Sequence, residues 1–126
     1  MALDTRNQKT GNGDVLIDRL IQIAGQTGIA HHIPGRIRLK VKLSGLLLAQ
    51  GLEAADLMKY FRGIQDARTN AAARSIVISY DTEVIAPDLW ERLVNGEKDP
   101  SLGSSVKEQL KRLSRPELEQ RGPKPL

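Results

Sequence analysis

Two neighbouring histidines, His31 and His32, are the residues with the clearest capacity to bind a metal ion. They are the only histidines of the chain, which has no cysteine. Imidazole nitrogens bind zinc, copper, nickel and iron, and a single imidazole can be an axial ligand of haem. The absence of thiols excludes disulfides, thiolate metal sites and iron–sulfur clusters. The candidate cofactor is therefore a metal ion or haem bound through His31 or His32.

A structural role for the same histidines is the alternative. Neighbouring side chains on a regular strand point to opposite faces, so His31 and His32 reach one ion only from a loop. Further ligands would have to be carboxylates or come from a second subunit. Otherwise a histidine caps the start of the strand or packs on the sheet.

The segment after the histidines alternates basic and apolar residues. Such alternation predicts a half-buried strand with one cationic side and one apolar side. The four basic residues of this strand match the formal net charge of +4 of the whole chain. With one more arginine from a later strand, the candidate partner or anion-binding residues are Arg36, Arg38, Lys40, Lys42 and Arg68.

A cationic strand face suits nucleic acid, phosphate or an acidic protein partner. Sheet-surface RNA binders present aromatic side chains on which bases stack, and this strand has none. The sequence therefore argues against sequence-specific RNA binding and keeps nonspecific nucleic-acid binding as the weakest alternative. The remaining interpretation is a solvated face paired with nearby carboxylates.

The elements that must position these residues fall into four parts of the sequence. These are a disordered polar arm at 1–13, an N-terminal helix and linker at 14–27, an α+β domain at 28–96, and a linker, short amphipathic helix and Pro-rich tail at 97–126. The two terminal helices either dock on a partner or pack back on the sheet.

The central domain is expected to follow the order strand, helix, strand, strand, helix. The first strand runs from Ile29 or Ile33 to Leu43 with a bend at Pro34-Gly35, and the last short helix opens at Ser105. The elements between them are a helix at 45–61, strands at 64–69 and 75–81, and a helix at 88–95.

This order predicts an α+β, ferredoxin-like βαββα(β) sandwich with an antiparallel sheet, whose fourth strand is uncertain. Without that strand, the segment 33–43 would lie at a sheet edge. An exposed edge pairs readily with another chain. We therefore expect it to join a second copy, a protein partner or the chain's own flanking segment.

Three motifs in a fixed order resemble a known family. The motifs are His31-His32-Ile-Pro-Gly-Arg-Ile-Arg-Leu, Gly63-Ile-Gln-Asp-Ala-Arg-Thr-Asn70 and Ser75-Ile-Val-Ile-Ser-Tyr-Asp81. Together, over about residues 29–95, the chain resembles the heavy-metal-associated-like domains, in the branch with an HxxPGR-type first strand. Such domains occur alone or beside metal-pumping P-type ATPases. The resemblance implies a ferredoxin-like fold and a role in metal or metal-cofactor handling.

The same resemblance does not bring the family's metal site. In the family a Met-x-Cys-x-x-Cys loop follows the first strand, whereas this chain has Lys42-Leu-Ser-Gly45 there. Delivery of a soft metal ion by paired thiolates is therefore excluded.

The sequence carries no catalytic motif, so we expect a protein that is not an enzyme. The predicted function is a small binding module, an adaptor, chaperone-like or regulatory protein, tied to metal or metal-cofactor handling. The alternative is an oligomeric or protein-binding assembly module that needs no metal. No secretory signal or membrane-length apolar run is visible, which predicts a soluble, cytoplasmic protein.

Overall fold

One four-stranded antiparallel sheet organises residues 2–116, which a computed structural model describes, with side chains described from residue 13. The strand order across the sheet is β1-β2-β4-β3. In chain order the elements are α1 (Ala2–Ala24), β1 (Thr27–Ile33), β2 (Arg36–Val41), α2 (Leu43–Leu48), α3 (Ala54–Tyr60), β3 (Ile64–Asn70), β4 (Ser75–Tyr80), α4 (Asp88–Asn95) and α5 (Pro100–Leu113). The predicted α+β class with an antiparallel sheet is confirmed.

Pro34-Gly35 closes a hairpin instead of bending a single strand. Ile33 pairs with Arg36 across a two-residue loop, and Gly35 has a φ of +91°. Proline followed by a residue with positive φ is the pattern of a type II turn, which favours glycine at that place. The expected strand from Ile29 or Ile33 to Leu43 is therefore two strands, β1 and β2.

The hairpin makes β2 an interior strand. β2 pairs with β1 on one side and with β4 on the other, so the edge expected at 33–43 is joined by the chain's own flanking segment, one of the three expected partners. The chain's own flanking segment Thr27–Ile33 takes the edge position, and its backbone uses the hydrogen-bonding groups that a partner strand would have needed. The edges of the sheet are β1 and β3.

The helix predicted at 45–61 is broken into α2 and α3. The first helix ends at Leu48, and Gly51 in the turn that follows adopts a φ of +84°, which an α-helix does not accommodate. Glu53 then starts a new one: its side chain accepts a hydrogen bond from the backbone of Asp56, whose own side chain accepts from the Glu53 backbone. This reciprocal capping box stabilises a helix N-terminus and so favours a fresh start over continuation.

The C-terminal helix begins earlier than the sequence predicts. Asp99 caps α5 by accepting hydrogen bonds from the backbone N–H groups of Ser101 and Leu102, and Pro100 occupies the first turn. The N–H groups of the first helical turn have no acceptor within the helix, so proline, which has no N–H, suits this position. The helix therefore starts at Pro100 and not at Ser105. The predicted Pro-rich end at 121–126 lies outside the described residues.

The N-terminal helix also differs from its predicted extent. α1 continues toward the N-terminus as far as Ala2, where the sequence predicts a disordered arm at 1–13. The apolar stripe on its described part is Leu16, Ile17 and Ile21, and all three are buried. The turns before this stripe continue its backbone hydrogen-bond register, which costs less than nucleating a separate helix.

Both terminal helices pack back on the domain, α5 against α1 and α4. Val106, Leu110 and Leu113 of α5 are buried in the same core cluster as the apolar stripe of α1. Ion pairs join the helices at their surface, from Lys107 to Asp18 at 2.9 Å and from Lys111 to Asp14 at 3.3 Å. Within residues 2–116, no helix is long and apolar enough to cross a membrane.

Candidate functional site

The basic residues of β2 lie on the sheet face opposite the helices. Arg36, Arg38 and Lys40 are exposed, whereas Ile37 and Leu39 between them are buried. This is the two-sided strand that the alternation predicts. Successive basic side chains are two residues apart, or about 6.6 Å along the strand.

Strand pairing extends this face across the whole sheet. Residues that pair directly on neighbouring antiparallel strands project to the same side. The rows on the open side, from β1 to β3, are Ile33–Arg36–Ser79–Asp66, His31–Arg38–Val77–Arg68 and Gly28–Lys40–Ser75–Asn70. The surface formed by His31, Arg36, Arg38, Lys40 and Arg68 is named the basic face below.

The centre of the basic face is a depression of about 280 Å³. Its lining residues are His31, Arg36, Arg38 and Val77. One imidazole and two guanidinium groups thus surround an apolar floor. Guanidinium donors in this arrangement suit planar anions such as carboxylates, which accept two parallel hydrogen bonds.

Most positive charge on this face is uncompensated within the described residues. Arg68 pairs with Asp66 at 2.8 Å, and its side chain is 81% exposed, so this ion pair is weak. Among the described side chains, no acidic group lies within ion-pair distance of Arg36, Arg38 or Lys40. Three adjacent like charges repel one another, and a bound anion relieves that repulsion.

Lys42, predicted to belong to the basic strand, does not lie on β2. It follows the strand as the N-cap residue of α2, and its backbone N–H donates to the Gln26 carbonyl at 2.9 Å. The strand ends at Val41 because the chain turns there into α2. The structure thus brings together four of the five predicted basic residues.

The two histidines lie on opposite faces. His31 pairs with Arg38 on the basic face, whereas His32 pairs with buried Ile37 on the helix-covered side. There the His32 Nε2 lies 2.7 Å from the Tyr80 hydroxyl oxygen, within hydrogen-bonding distance. His32 thus packs on the sheet, as the structural alternative predicts.

This geometry does not let both imidazoles bind one ion. Among the described residues, no group of three or more His, Cys, Asp or Glu side chains is arranged to hold a metal ion. A metal ion or haem bound through one histidine, with ligands from elsewhere, stays a prediction.

Sequence reasoning missed a large apolar cavity on the helix-covered side. The cavity has a volume of about 500 Å³ and lies between the sheet and the helices. Its walls include Ile76 of β4, Leu46 of α2, Leu57 of α3 and Leu93 of α4. One sequence signal pointed to it: Gly51 interrupts a leucine-rich helical stretch that would otherwise have covered this end of the sheet.

Comparisons of the chain with protein-family models, with curated proteins and with solved structures gave no match. The resemblance to heavy-metal-associated-like domains therefore stays a prediction from the three motifs.

Proposed function

We propose that this chain is a small, non-enzymatic binding module that recognises an acidic protein surface through its basic face. The observation that carries the proposal is the exposed row of Arg36, Arg38 and Lys40, without acidic partners among the described residues. These side chains project from an interior strand, which holds their spacing fixed. The backbone that carries them is therefore already ordered, and only the exposed side chains lose conformational freedom when an anionic partner binds.

The composition of the face favours a protein over nucleic acid. Val77 lies at its centre, and Ile33 at its margin is 48% exposed. An apolar centre with charged surroundings is typical of protein interfaces. No Phe, Tyr or Trp side chain lies on this face to offer a base a stacking partner.

The strand order supports a ferredoxin-like fold with an unusual fourth strand. β4 lies between β2 and β3, which are connected through α2 and α3, as in a split βαβ unit. In the usual order the strand beside the first comes from the end of the domain. Here the strand beside β2 is β1, which comes before β2 in the chain.

The second candidate function is metal or metal-cofactor handling, which the family resemblance implies. The observation that favours it is His31, an exposed imidazole inside the depression. Elemental analysis of protein purified with zinc, copper or haem would test it. His31→Ala should lower the bound amount and His32→Ala should not. Equal content in both variants would refute a site at His31.

The basic face is tested with two variants that each lose three positive charges, one on the face and one elsewhere, so that their net charges are equal. The face variant carries Arg36→Gln, Arg38→Gln and Lys40→Gln. The matched control carries Lys42→Gln, Lys98→Gln and Arg115→Gln, three exposed cations that lie off the face. The probes are a fluorescent poly-glutamate peptide and a DNA duplex of equal charge.

The face variant should bind the poly-glutamate peptide about three- to 150-fold more weakly, since three exposed ion pairs contribute about 0.2–1 kcal/mol each. The control should retain most of its affinity. An equal loss in both variants would mean that only total charge matters and would refute the proposal. Tighter binding of DNA than of the peptide would favour the nucleic-acid alternative instead.

A further inference from the structure

The apolar cavity is large enough to hold a ligand. It is a pocket that opens to solvent, and its volume is about 500 Å³. Small-molecule sites typically occupy about 300–1,000 Å³ and are lined mainly by apolar side chains. The cavity matches both properties.

The burial of the lining residues supports this interpretation independently. Ile78 and Ile37 point to the helix-covered side and are almost fully buried. Ile76, on the same face of β4 and two residues from Ile78, is only partly buried, as are Leu57 and Leu93. Their apolar surface faces the cavity, so a ligand that fills it would remove that surface from water.

The wall formed by α2 is anchored to α1 and to the loop that follows it. Arg19 of α1 donates from Nε to the Leu48 carbonyl at 2.7 Å and from Nη2 to the Gln50 carbonyl. At the other end of α2, the Ser44 hydroxyl donates to Gln26 Oε1 at 2.7 Å. These contacts hold both ends of α2 to α1 and its following loop.

The charged lining residues of the cavity are Arg74 and Glu53, and both are exposed. The Glu53 carboxylate is already used as a hydrogen-bond acceptor in the capping box of α3. Arg74 lies in the turn between β3 and β4, and no described acidic side chain pairs with it. The cavity thus combines an apolar interior with one available cation.

We propose that the cavity binds a single-chain amphiphile with an anionic headgroup. The acyl chain lies between the sheet and the helices, and the headgroup lies beside Arg74. A carboxylate or a phosphate headgroup satisfies the same chemistry, so a free fatty acid and a lysophospholipid are the two sources. This site is separate from the basic face and does not depend on the proposed function.

The first experiment measures affinity against chain length. Saturated fatty acids of increasing length are titrated into the full chain by calorimetry, below their micelle concentrations. Each added methylene should tighten binding about fourfold, the equivalent of about 0.8 kcal/mol, until the cavity is full. Beyond that length the affinity should level off. No binding at any length, or a rise without a plateau, would overturn the proposal.

The second experiment locates the acyl chain. Trp90 is the only tryptophan of the chain, and it lines the cavity. A bromine-labelled fatty acid should quench its fluorescence, because bromine quenches indole at short range. The filling variant Ile76→Phe should bind several-fold more weakly, with its urea unfolding checked to show that it folds. Unchanged binding and quenching in Ile76→Phe would place the ligand elsewhere.

The third experiment locates the headgroup. Arg74→Gln should lower the affinity for dodecanoate and for lysophosphatidic acid several-fold. The affinity for dodecanol, which has a neutral headgroup, should stay unchanged. The variant that removes charge at Arg36, Arg38 and Lys40 should bind dodecanoate like the unmodified chain. The tighter of the two anionic ligands identifies the preferred source. If the face variant lost dodecanoate binding and Arg74→Gln kept it, the placement of the headgroup beside Arg74 would be contradicted.

Discussion

The two sides of β2 differ in chemistry and in how completely their space is filled. On the open side, Arg36, Arg38 and Lys40 form an exposed cationic row. On the covered side, Ile37 is 0% exposed, but the same side of the sheet becomes hollow toward Ile76. Alternation along a strand therefore determines which residues point inward, but it does not determine whether the interior is filled.

The difference between the packed and hollow parts of the covered side has a local cause. At the packed part, the His32 and Tyr80 rings lie 6.0 Å apart between centroids, and His32 Nε2 lies 2.7 Å from the Tyr80 hydroxyl oxygen. At the hollow part, the chain breaks at Gly51 between two short helices. A continuous helix over 45–61 could have laid more side chains across the sheet.

The largest expected effect is a difference in stability between truncations in the packed part and in the hollow part. Ile37→Ala should lower the free energy of unfolding by about 2–5 kcal/mol, because it opens a cavity in close-packed surroundings. Ile76→Ala should cost clearly less, since that side chain already faces a void. Urea denaturation of both variants measures this contrast, and equal losses would show that the two parts are packed alike.

A smaller effect is expected at the hairpin that places β2 inside the sheet. Gly35→Ala forces a side chain into a φ of +91°, which should cost about 1–2 kcal/mol. Gly28→Ala in β1 is the matched control, because a Cβ there meets no atom within 4 Å. Thermal unfolding compares the two variants. A Gly35→Ala protein as stable as the control would argue against the hairpin.

The histidines should differ by about 1 kcal/mol. His32→Ala removes a hydrogen-bonding partner from the Tyr80 hydroxyl, and a hydrogen bond contributes about 0.5–1.5 kcal/mol net. His31→Ala removes an exposed side chain and should leave stability nearly unchanged. Chemical denaturation at neutral pH tests the pair. Equal effects would contradict their placement on opposite faces of the sheet.

The smallest expected effect is on acid stability. Hydrogen bonds from the Ser101 side chain and from the Leu102 and Ser101 backbone lower the pKa of Asp99 below its usual 3.8. Because the folded-state pKa is depressed, this stabilisation is present above about pH 4 and is lost as the pH falls through the folded value.

Ser101→Ala should raise the pKa of Asp99 toward its usual value, and NMR titration of the carboxyl group measures this change. Asp99→Asn keeps a side-chain oxygen that can cap the helix, but it should remove the contribution of this position to the pH dependence of stability. A Ser101→Ala variant with an unchanged Asp99 titration would contradict the capping role.

Local patterns predicted three elements, β3, β4 and α4, nearly to their observed bounds. The β-branched residues at 75–81 predicted the strand Ser75–Tyr80, and the more polar segment 64–69, also predicted as a strand, is Ile64–Asn70. The helix at 88–95 has its predicted bounds, although Pro87 is its N-cap residue and not its first helical residue. The basic face followed from alternation because β2 is regular along its length.

The missed features depend on contacts that alternation does not encode. The register of β1 shifts between Ile29 and His31, which breaks the period of two and concealed a separate strand. A Pro-Gly pair fits a bent strand and a hairpin turn equally well until a pairing partner is known. The cavity depends on the relative placement of five helices within residues 2–116, and no single segment specifies it.

The most direct test of the account is amide chemical-shift mapping on one sample, titrated first with dodecanoate and then with the poly-glutamate peptide. The account predicts two separate sets of shifted signals. Dodecanoate should shift residues around Leu46, Leu57 and Leu93, and the peptide should shift those around Arg36 and Arg38 without displacing dodecanoate. Shifts of the same residues by both ligands, or competition between them, would contradict two distinct binding surfaces.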